Sequence, residues 1–317
     1  MIWKPIADLK MLKARASLNS SIRKWFELGH YIEVEVPLIG FVPPTDPWLD
    51  CFSVMTVDGK NAGYLLPSPE PFLKRLLIAH PHPFFSITRG FRCGDSGKFH
   101  HPEFSILEWY RPNHGYDEMV KELGDFSVNV VSRPQPSIVT YRALFEEFLG
   151  LNPHDVCEEL LAEKILEVIE SPPGNLDVHS ALDLLFGYII EPSLENHIVI
   201  DFPTVQASQE KIQTSKQGDR VACRAELFFD GIEIANGYDE LTDAQELRKR
   251  FLYHNRVRTK LIRQTTPPDG ALIAAVSSGM PQTYGVALGV DRLLMILTKS
   301  KRLVQCLTFS SGCIRET

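Results

Sequence analysis

Residues 225–237, AELFFDGIEIANG, set two apolar-rich runs on either side of Asp230-Gly231. Such a dipeptide between alternating runs is a strong short-range signal for a two-residue β-hairpin, whose turn needs residues that tolerate positive φ. The turn would pair Phe229 with Ile232, Phe228 with Glu233 and Glu226 with Ala235. Residues two apart on a strand share a face, so Glu226 and Glu233 project together as diagonal neighbours, roughly 7–8 Å apart at the backbone. Carboxylates so placed repel unless a cation lies between them. Mg²⁺ bound to a polyphosphate suits that geometry, and an edge hairpin with both glutamates in water suits it as well.

Other segments extend the sheet. FFSITRGFRCG, EFSILEWYR, HIVIDFP and YGVALG read as strands, and the first two flank a polar loop, CGDSGKFHH, as a second hairpin. On EFSILEWYR, alternation sends Phe104, Ile106, Glu108 and Tyr110 to one face and Leu107 and Trp109 to the other. A carboxylate and a phenol side by side in an apolar sheet are costly to bury unpaired, which points to a bound group such as an ammonium. Arg92, at the end of the incoming strand, could fork onto a carboxylate or phosphate. In YGVALGVDRLLMIL a strand ends at Gly289 and passes into a helix whose first turn carries Asp291 and Arg292. An arginine there, beside exposed amides, makes an anion site or an ordinary surface turn. No G-x-x-x-x-G-K-[ST] occurs, which excludes a P-loop.

Helices fill the remainder. Leu18, Ile22, Trp25 and Phe26 fall at helical spacing over residues 7–28, with Gly29 as a stop, and YIEVEVPLIG follows as a strand with one wet face. FEEFLG, EELLAEKILEVIE and ALDLLFGYII read as helices broken by NPHD and SPPGN, a helical insertion at about residues 141–190. The expected class is α+β, an antiparallel or mixed sheet flanked by helices. It is read as one domain over residues 1–317 carrying that insertion.

The 317 residues, 44% of them hydrophobic, can bury a sizeable core. No apolar run long enough to span a membrane and no signal peptide is visible, so the cytosol is the expected address. Cys51, Cys93, Cys157, Cys223, Cys306 and Cys313 contain no C-x-x-C pair, which argues for reduced thiols over disulfides or structural zinc. With a net charge of −7, and with LRKRFLYHNRVRTK (247–260) reading as a solvated helix face, stable nucleic-acid binding is not expected.

Together these pieces resemble the class II aminoacyl-tRNA synthetases. The helix and strand ending at Pro37 look like their first motif, Phe91–Tyr110 like the second and Gly285–Arg292 like the third. SPEPFLKRLL (68–77), HHPEFSILEWYR and GIEIANGYDELTD (231–243) resemble the lysyl branch. Lysyl-tRNA synthetases place a β-barrel anticodon-binding domain before the first motif, and here that motif starts at residue 7, so the domain is expected to be missing. The combination is similar to the elongation factor P lysyltransferases. That resemblance implies activation of (R)-β-lysine, or lysine, with ATP and Mg²⁺, and transfer to a lysine side chain of elongation factor P by a homodimer joined through the first motif, where Trp25 and Phe26 offer apolar area.

Carried over residue by residue, the resemblance gives Arg92 the α-phosphate and the reacting carboxylate, and Arg292 the γ-phosphate. Glu226 and Glu233 would ligate Mg²⁺. Ser68, Pro69, Glu70, Glu108, Tyr110 and Glu240 would line the amino-acid pocket together with Ala287, where lysyl-tRNA synthetases have glycine. Cys93, Gly94, His101, Ile234 and Gly289 would adjoin the nucleotide, although Asp95 and His101 stand where the family commonly has glutamate and asparagine. A tRNA acceptor, or a non-catalytic regulatory role, are the alternative readings. The second would be marked by loss of an arginine or metal carboxylate, and all four are present.

Overall fold

The computed structural model describes residues 3–171, 174 and 176–310; Cys313 and the Pro172, Pro173 and Asn175 of the SPPGN break lie outside them. Its contacts form two compact units, Met1–His114 with Leu241–Thr317, and Gly115–Glu240.

The first unit opens with helix α1 (Leu9–Leu28), started by the Asp8 carboxylate, which accepts the Met11 N–H at 2.8 Å, and ended at Gly29. Leu18, Ile22 and Phe26 face inward. Phe26 stacks on Phe85 at 4.5 Å and meets Trp109 edge-on at 5.3 Å, so it offers no apolar area to a partner; the exposed apolar residues of α1 are Leu9, Leu12 and Leu28. The expected strand over YIEVEVPLIG shrinks to two short pieces, β1 (Ile32–Glu33) and β2 (Ile39–Gly40). Pro37 lacks the N–H a ladder needs, and Val34 and Val36 instead pack beside Leu73 and Leu77. Strands β3 (Phe52–Met55) and β4 (Asn61–Leu65) complete a small sheet in the order β2-β4-β3. Helix α2 (Glu70–Ala79) precedes the hairpin of β5 (Phe84–Phe91) and β6 (Glu103–Pro112). The alternation expected for β6 holds: Trp109 meets the α1 side, while Tyr110 packs with Leu73, Leu77 and Phe84.

The second unit begins with α3 (Tyr116–Phe126), a helix the sequence reading passed over although its buried residues recur at helical spacing. Strand β7 (Ser137–Thr140) leads into α4 (Tyr141–Leu149), α5 (Glu158–Val168) and α6 (Val178–Leu185), the anticipated helical insertion. Tyr141 stacks on Phe145 at 4.7 Å and on Phe186 at 4.9 Å, and this aromatic group packs with Phe202 and Phe228. Strands β8 (Asn196–Pro203), β9 (Ile212–Thr214), β10 (Arg220–Phe229) and β11 (Ile232–Asp239) follow, with β10 between β11 and β8, and β7 parallel to β8.

The β10–β11 turn is the expected two-residue one: φ is 52° at Asp230 and 71° at Gly231, and Arg133 forks onto the Asp230 carboxylate at 3.0 and 2.6 Å. Phe229 pairs with Ile232 and Phe228 with Glu233, as anticipated. The next pair departs from expectation. A β-bulge inserts Ile234 as an extra residue, so Leu227 faces Ala235 and Glu226 faces Asn236, one place beyond the expected partner.

The chain then returns to the first unit through α7 (Ala244–Lys260), α8 (Gly270–Ser277), β12 (Thr283–Gly289) and α9 (Val290–Leu297). Leu247 and Phe251 of α7 pack against Leu272 and Val276 of α8. The basic run on α7 is not wholly a solvated face, because Arg258 is buried and donates to Asp50 at 2.8 Å and to the Asp46 carbonyl at 2.7 Å. Within this unit the main-sheet order is β1-β5-β6-β12, parallel between β1 and β5 and antiparallel thereafter. No helix among the described residues is long and apolar enough to cross a membrane.

Candidate active site

Gly90 sets the position of the segment that carries Ser68 in the first unit. A Cβ there would lie 2.6 Å from the Pro67 carbonyl oxygen and 2.7 Å from the Phe104 ring, so only glycine lets residues 66–68 run this close to β5. The Phe91 N–H, bonded to the Leu66 carbonyl at 3.0 Å, fixes that approach. It delivers Ser68 to β6. The Ser68 hydroxyl accepts the Glu70 N–H at 2.9 Å and donates to Glu108 Oε2 at 2.6 Å, while Tyr110 Oη donates to Glu108 Oε1 at 2.7 Å. Pro69 caps α2, its carbonyl taking the N–H groups of Phe72 and Leu73. Ala287 stands directly opposite Glu108 in the β6–β12 ladder, and Gly285 opposite Tyr110.

Glu108 is only 2% exposed, and among the described residues its hydrogen bonds come from hydroxyls with no ion pair. Burial, and then the charge of Glu70, push its carboxyl up to about 7, against the pull of the Ser68 and Tyr110 hydrogen bonds and of Lys74. A buried carboxylate whose hydrogen bonds come from neutral hydroxyls can receive a cation. Ser68, Pro69, Glu70, Glu108, Tyr110 and Ala287, named from the sequence, are thus brought together. Lys74 was not named. It is 3% exposed, one helical turn after Glu70, with its Nζ 2.5 Å from Glu70 Oε1. Its signal was present in the sequence, since it sits between Leu73 and Leu77 on the apolar stripe of α2.

Arg92, at the end of β5, is held by its N–H to the Pro102 carbonyl at 2.9 Å, with its guanidinium 5.2 Å from the Phe104 ring centre. Its Nε is buried and has no hydrogen-bond partner among the described residues. An unsatisfied guanidinium donor is expensive to keep, and a phosphate or carboxylate oxygen relieves it. Cys93 beside it is exposed, and Gly94 has φ 90° with open space where a side chain would point. At the start of α9 the Asp291 carboxylate is buried, taking Arg15 Nη2 at 2.5 Å and the Ser105 N–H at 2.6 Å, which pins the turn that presents Arg292. Arg292 donates to His100 Nε2 at 2.6 Å, and the face of Gly289 lies along its aliphatic stem. His101 is buried with both ring nitrogens used inside the chain, one with the Glu103 carbonyl at 2.7 Å and one with Ser310 Oγ at 3.3 Å.

In the second unit, Glu226 and Glu233 still share a face, because Phe228 lies two residues from the first and opposite the second. The sequence reading named Mg²⁺ as the cation such a pair calls for, and the chain also supplies a cation of its own beside Glu226. Arg224, on the same face two residues earlier, donates Nε to Glu226 Oε1 at 3.0 Å and also bonds Oε1 through Nη2. Burial nevertheless pushes the Glu226 carboxyl up to about 8, with the charge of Glu233 adding to the rise. Both Arg224 bonds go to one oxygen, and a hard dication suits the carboxylate set that remains. Asn236, opposite Glu226, has a buried Oδ1 with no hydrogen-bond partner among the described residues, a feature the sequence reading did not single out. Ile234 is buried as the bulge residue, and Glu240 is buried in a bridge with Glu210.

Comparison with known proteins identifies the family. The family model for class II tRNA synthetases (D, K and N) matches residues 7–312. The chain is similar to an elongation factor P--(R)-beta-lysine ligase of Sodalis glossinidius, 36% identical over 97% of each chain. It is similar to ligases of the same name from Haemophilus influenzae, 35% identical over 97% of each, and Pectobacterium atrosepticum, 37% identical over 97% of each. The family match covers nearly the whole length of the chain. The chain belongs to the class II tRNA synthetases of the D, K and N group.

Proposed function

We propose that this protein is an ATP-dependent ligase that activates (R)-β-lysine, or lysine, as its adenylate and transfers it to a lysine side chain of elongation factor P in the cytosol. The observation that carries the reading is Glu108, a buried carboxylate held between two hydroxyls with no ion pair among the described residues, which is a seat for a substrate ammonium group. The acceptor is inferred from the name of the relatives, each alike over nearly the full chain.

In the first step an oxygen of the amino-acid carboxylate attacks the α-phosphorus of ATP in line, and pyrophosphate leaves. Arg92 spans the two reacting anions and stabilises the charge that builds on the α-phosphate, while Arg292 holds the γ-phosphate of the leaving group. Arg292 exchanges its bond to His100 for the phosphate, so the contact is a placeholder for the nucleotide. Glu226 and Glu233 would hold Mg²⁺, which would supply charge neutralisation for the polyphosphate. In the second step the amine of the acceptor lysine attacks the carbonyl carbon, the bond to AMP breaks, and the amine loses its proton. No protein nucleophile is needed: positioning and charge neutralisation carry both steps.

Intact-mass analysis of elongation factor P after incubation with enzyme, ATP and each lysine isomer tests the proposal. A gain of one lysyl group is expected, and label appearing on tRNA but never on elongation factor P would overturn it. The homodimer belongs to the same proposal, supported by the exposed Leu9, Leu12 and Leu28 of α1. Light scattering at the single-chain mass of 35.9 kDa would refute it.

A further inference from the structure

A lysine with 3% of its surface exposed, placed in a pocket meant for a cationic substrate, needs an explanation. Burying an ammonium group costs several kcal/mol unless it is paired, and a methionine of similar length would fill the same space on the apolar stripe of α2. Lys74 instead holds Glu70 at 2.5 Å on one side of the Ser68 hydroxyl, and Glu108 accepts that hydroxyl on the other side at 2.6 Å. Ser68 also takes the Glu70 N–H at 2.9 Å, so the start of α2, its first carboxylate and the β6 carboxylate are linked through one side chain. The cluster of Glu70, Lys74 and Glu108 carries one negative charge in excess. Without Lys74 it would carry two, close together and out of water.

We propose that Lys74 is a resident counter-ion and positioning residue of the amino-acid pocket, one that holds Glu70 in place beside Ser68 and Glu108 and offsets one of the two negative charges gathered there for an ammonium group of the substrate. The inference rests on the function proposed above and deepens it. The groups that face Glu108 within this unit are few. Glu70 and Lys74 come from α2, Tyr110 from β6 itself and Ser68 from the segment before α2. Ser86 of β5 and Ala287 of β12 stand across the sheet from it, and neither titrates. Helix α8, packed on α2, has no ionisable side chain between Gly270 and Ser277. Burial is the largest influence on Glu108; of its charged neighbours, Glu70 disfavours its charge and Lys74 favours it. The resemblance also assigns Glu240, on the other unit, to the substrate, and every variant considered below leaves it unchanged.

Calorimetric titration of lysine into the full chain across pH, with ATP binding as an internal control, tests this. In the wild type, affinity falls about tenfold per pH unit below the point where Glu108 takes up its proton. Lys74→Met should move that point to higher pH, weakening lysine binding at neutral pH about tenfold or more and less so in alkali, with ATP affinity unchanged. Glu70→Gln, which keeps Lys74 and removes the neighbouring negative charge, should move it to lower pH. The double variant Glu70→Gln/Lys74→Met should return it toward the wild-type position, whatever its absolute affinity. If Lys74→Met does not fold, the Glu70→Gln shift decides alone. An acid limb that stays in place in the folded variants overturns the role of Lys74 while leaving the ligase reading intact. A wild type that binds no lysine at any pH overturns both.

Discussion

Replacing Glu108 by glutamine should make the protein more stable and a poorer enzyme, and the two effects should separate with pH. In the folded chain the carboxyl is raised from 4.5 to about 7, chiefly by burial. A folded-state value above the unfolded one means that the stability tied to this proton is fully present below about pH 4.5. It is lost as pH rises through about 7, where the folded protein must ionise a buried group. Converted at 1.36 kcal/mol per pH unit, the penalty reaches roughly 3 kcal/mol in alkali. Glutamine has nearly the same shape and no charge to lose. Denaturant unfolding of the ligand-free protein should therefore show wild type and Glu108→Gln alike at about pH 4.5 and the variant ahead by roughly 3 kcal/mol at about pH 8.5. Glu226, raised to about 8, titrates in both proteins and cancels from the difference. Lysine binding should change the other way: a lost charge-assisted contact of about 1.5–3 kcal/mol weakens affinity by roughly 10- to 150-fold. A stability difference that does not grow with pH would refute the buried, unpaired carboxylate and with it the seat proposed for the ammonium.

Two further outcomes follow from the site. Glu233→Ala should abolish Mg²⁺-dependent, lysine-dependent exchange of pyrophosphate into ATP with little loss of stability, because it removes a carboxylate that raises the cost of ionising Glu226; near wild-type exchange rates would remove Glu233 from the metal site. Gly90→Ala should cost about 1–3 kcal/mol in denaturant unfolding, since its methyl would stand 2.6 Å from the Pro67 carbonyl, and should raise KM for lysine by displacing Ser68. Unchanged stability and KM would mean that the 66–68 segment yields freely.

The features legible in the sequence were those enforced by local rules. The Asp230-Gly231 turn, the alternation along β6, the strand-to-helix passage at Gly289 and the insertion helices each rest on a few neighbouring residues, and each appears as expected. What escaped depended on partners distant along the chain or on a local irregularity. The bulge at Ile234 changes the partner of Glu226 although nothing in AELFFDGIEIANG forbids the regular ladder. Phe26 shares the i, i+4 stripe of Leu18 and Ile22, yet its assignment to a partner-facing surface fails because Phe85 and Trp109 arrive beneath it. Arg224 as partner of Glu226 and Lys74 as partner of Glu70 lie at strand and helix spacings that could have been read. Their burial, which gives those pairs their importance, could not.

Ala287 ties specificity to the same geometry. In the β6–β12 ladder it faces Glu108 directly, which places the two Cβ atoms roughly 4.5–5.5 Å apart on one face of the sheet. The methyl is only partly buried, so it borders the space above the sheet that a substrate held by Glu108 must cross. Glycine at this position, as in the lysyl-tRNA synthetases that this chain resembles, would open room for a group on the α-carbon. On the proposed function, the methyl would close that room and still pass an amine carried one carbon further along. A clash or a lost hydrogen bond of this size is worth about 1–3 kcal/mol, or roughly 10- to 200-fold in selectivity. Ala287→Gly should accordingly raise kcat/KM for α-lysine relative to (R)-β-lysine by a factor in that range. ATP affinity should hold, because Gly289 and Arg292 lie beyond the substitution and the Arg292 contact to His100 is untouched. Pyrophosphate exchange with both isomers, in wild type and variant, measures the ratio directly. An unaltered ratio in a variant with wild-type unfolding behaviour would assign the Ala287 methyl to packing between β6 and β12 and leave the choice between isomers to other residues of the pocket.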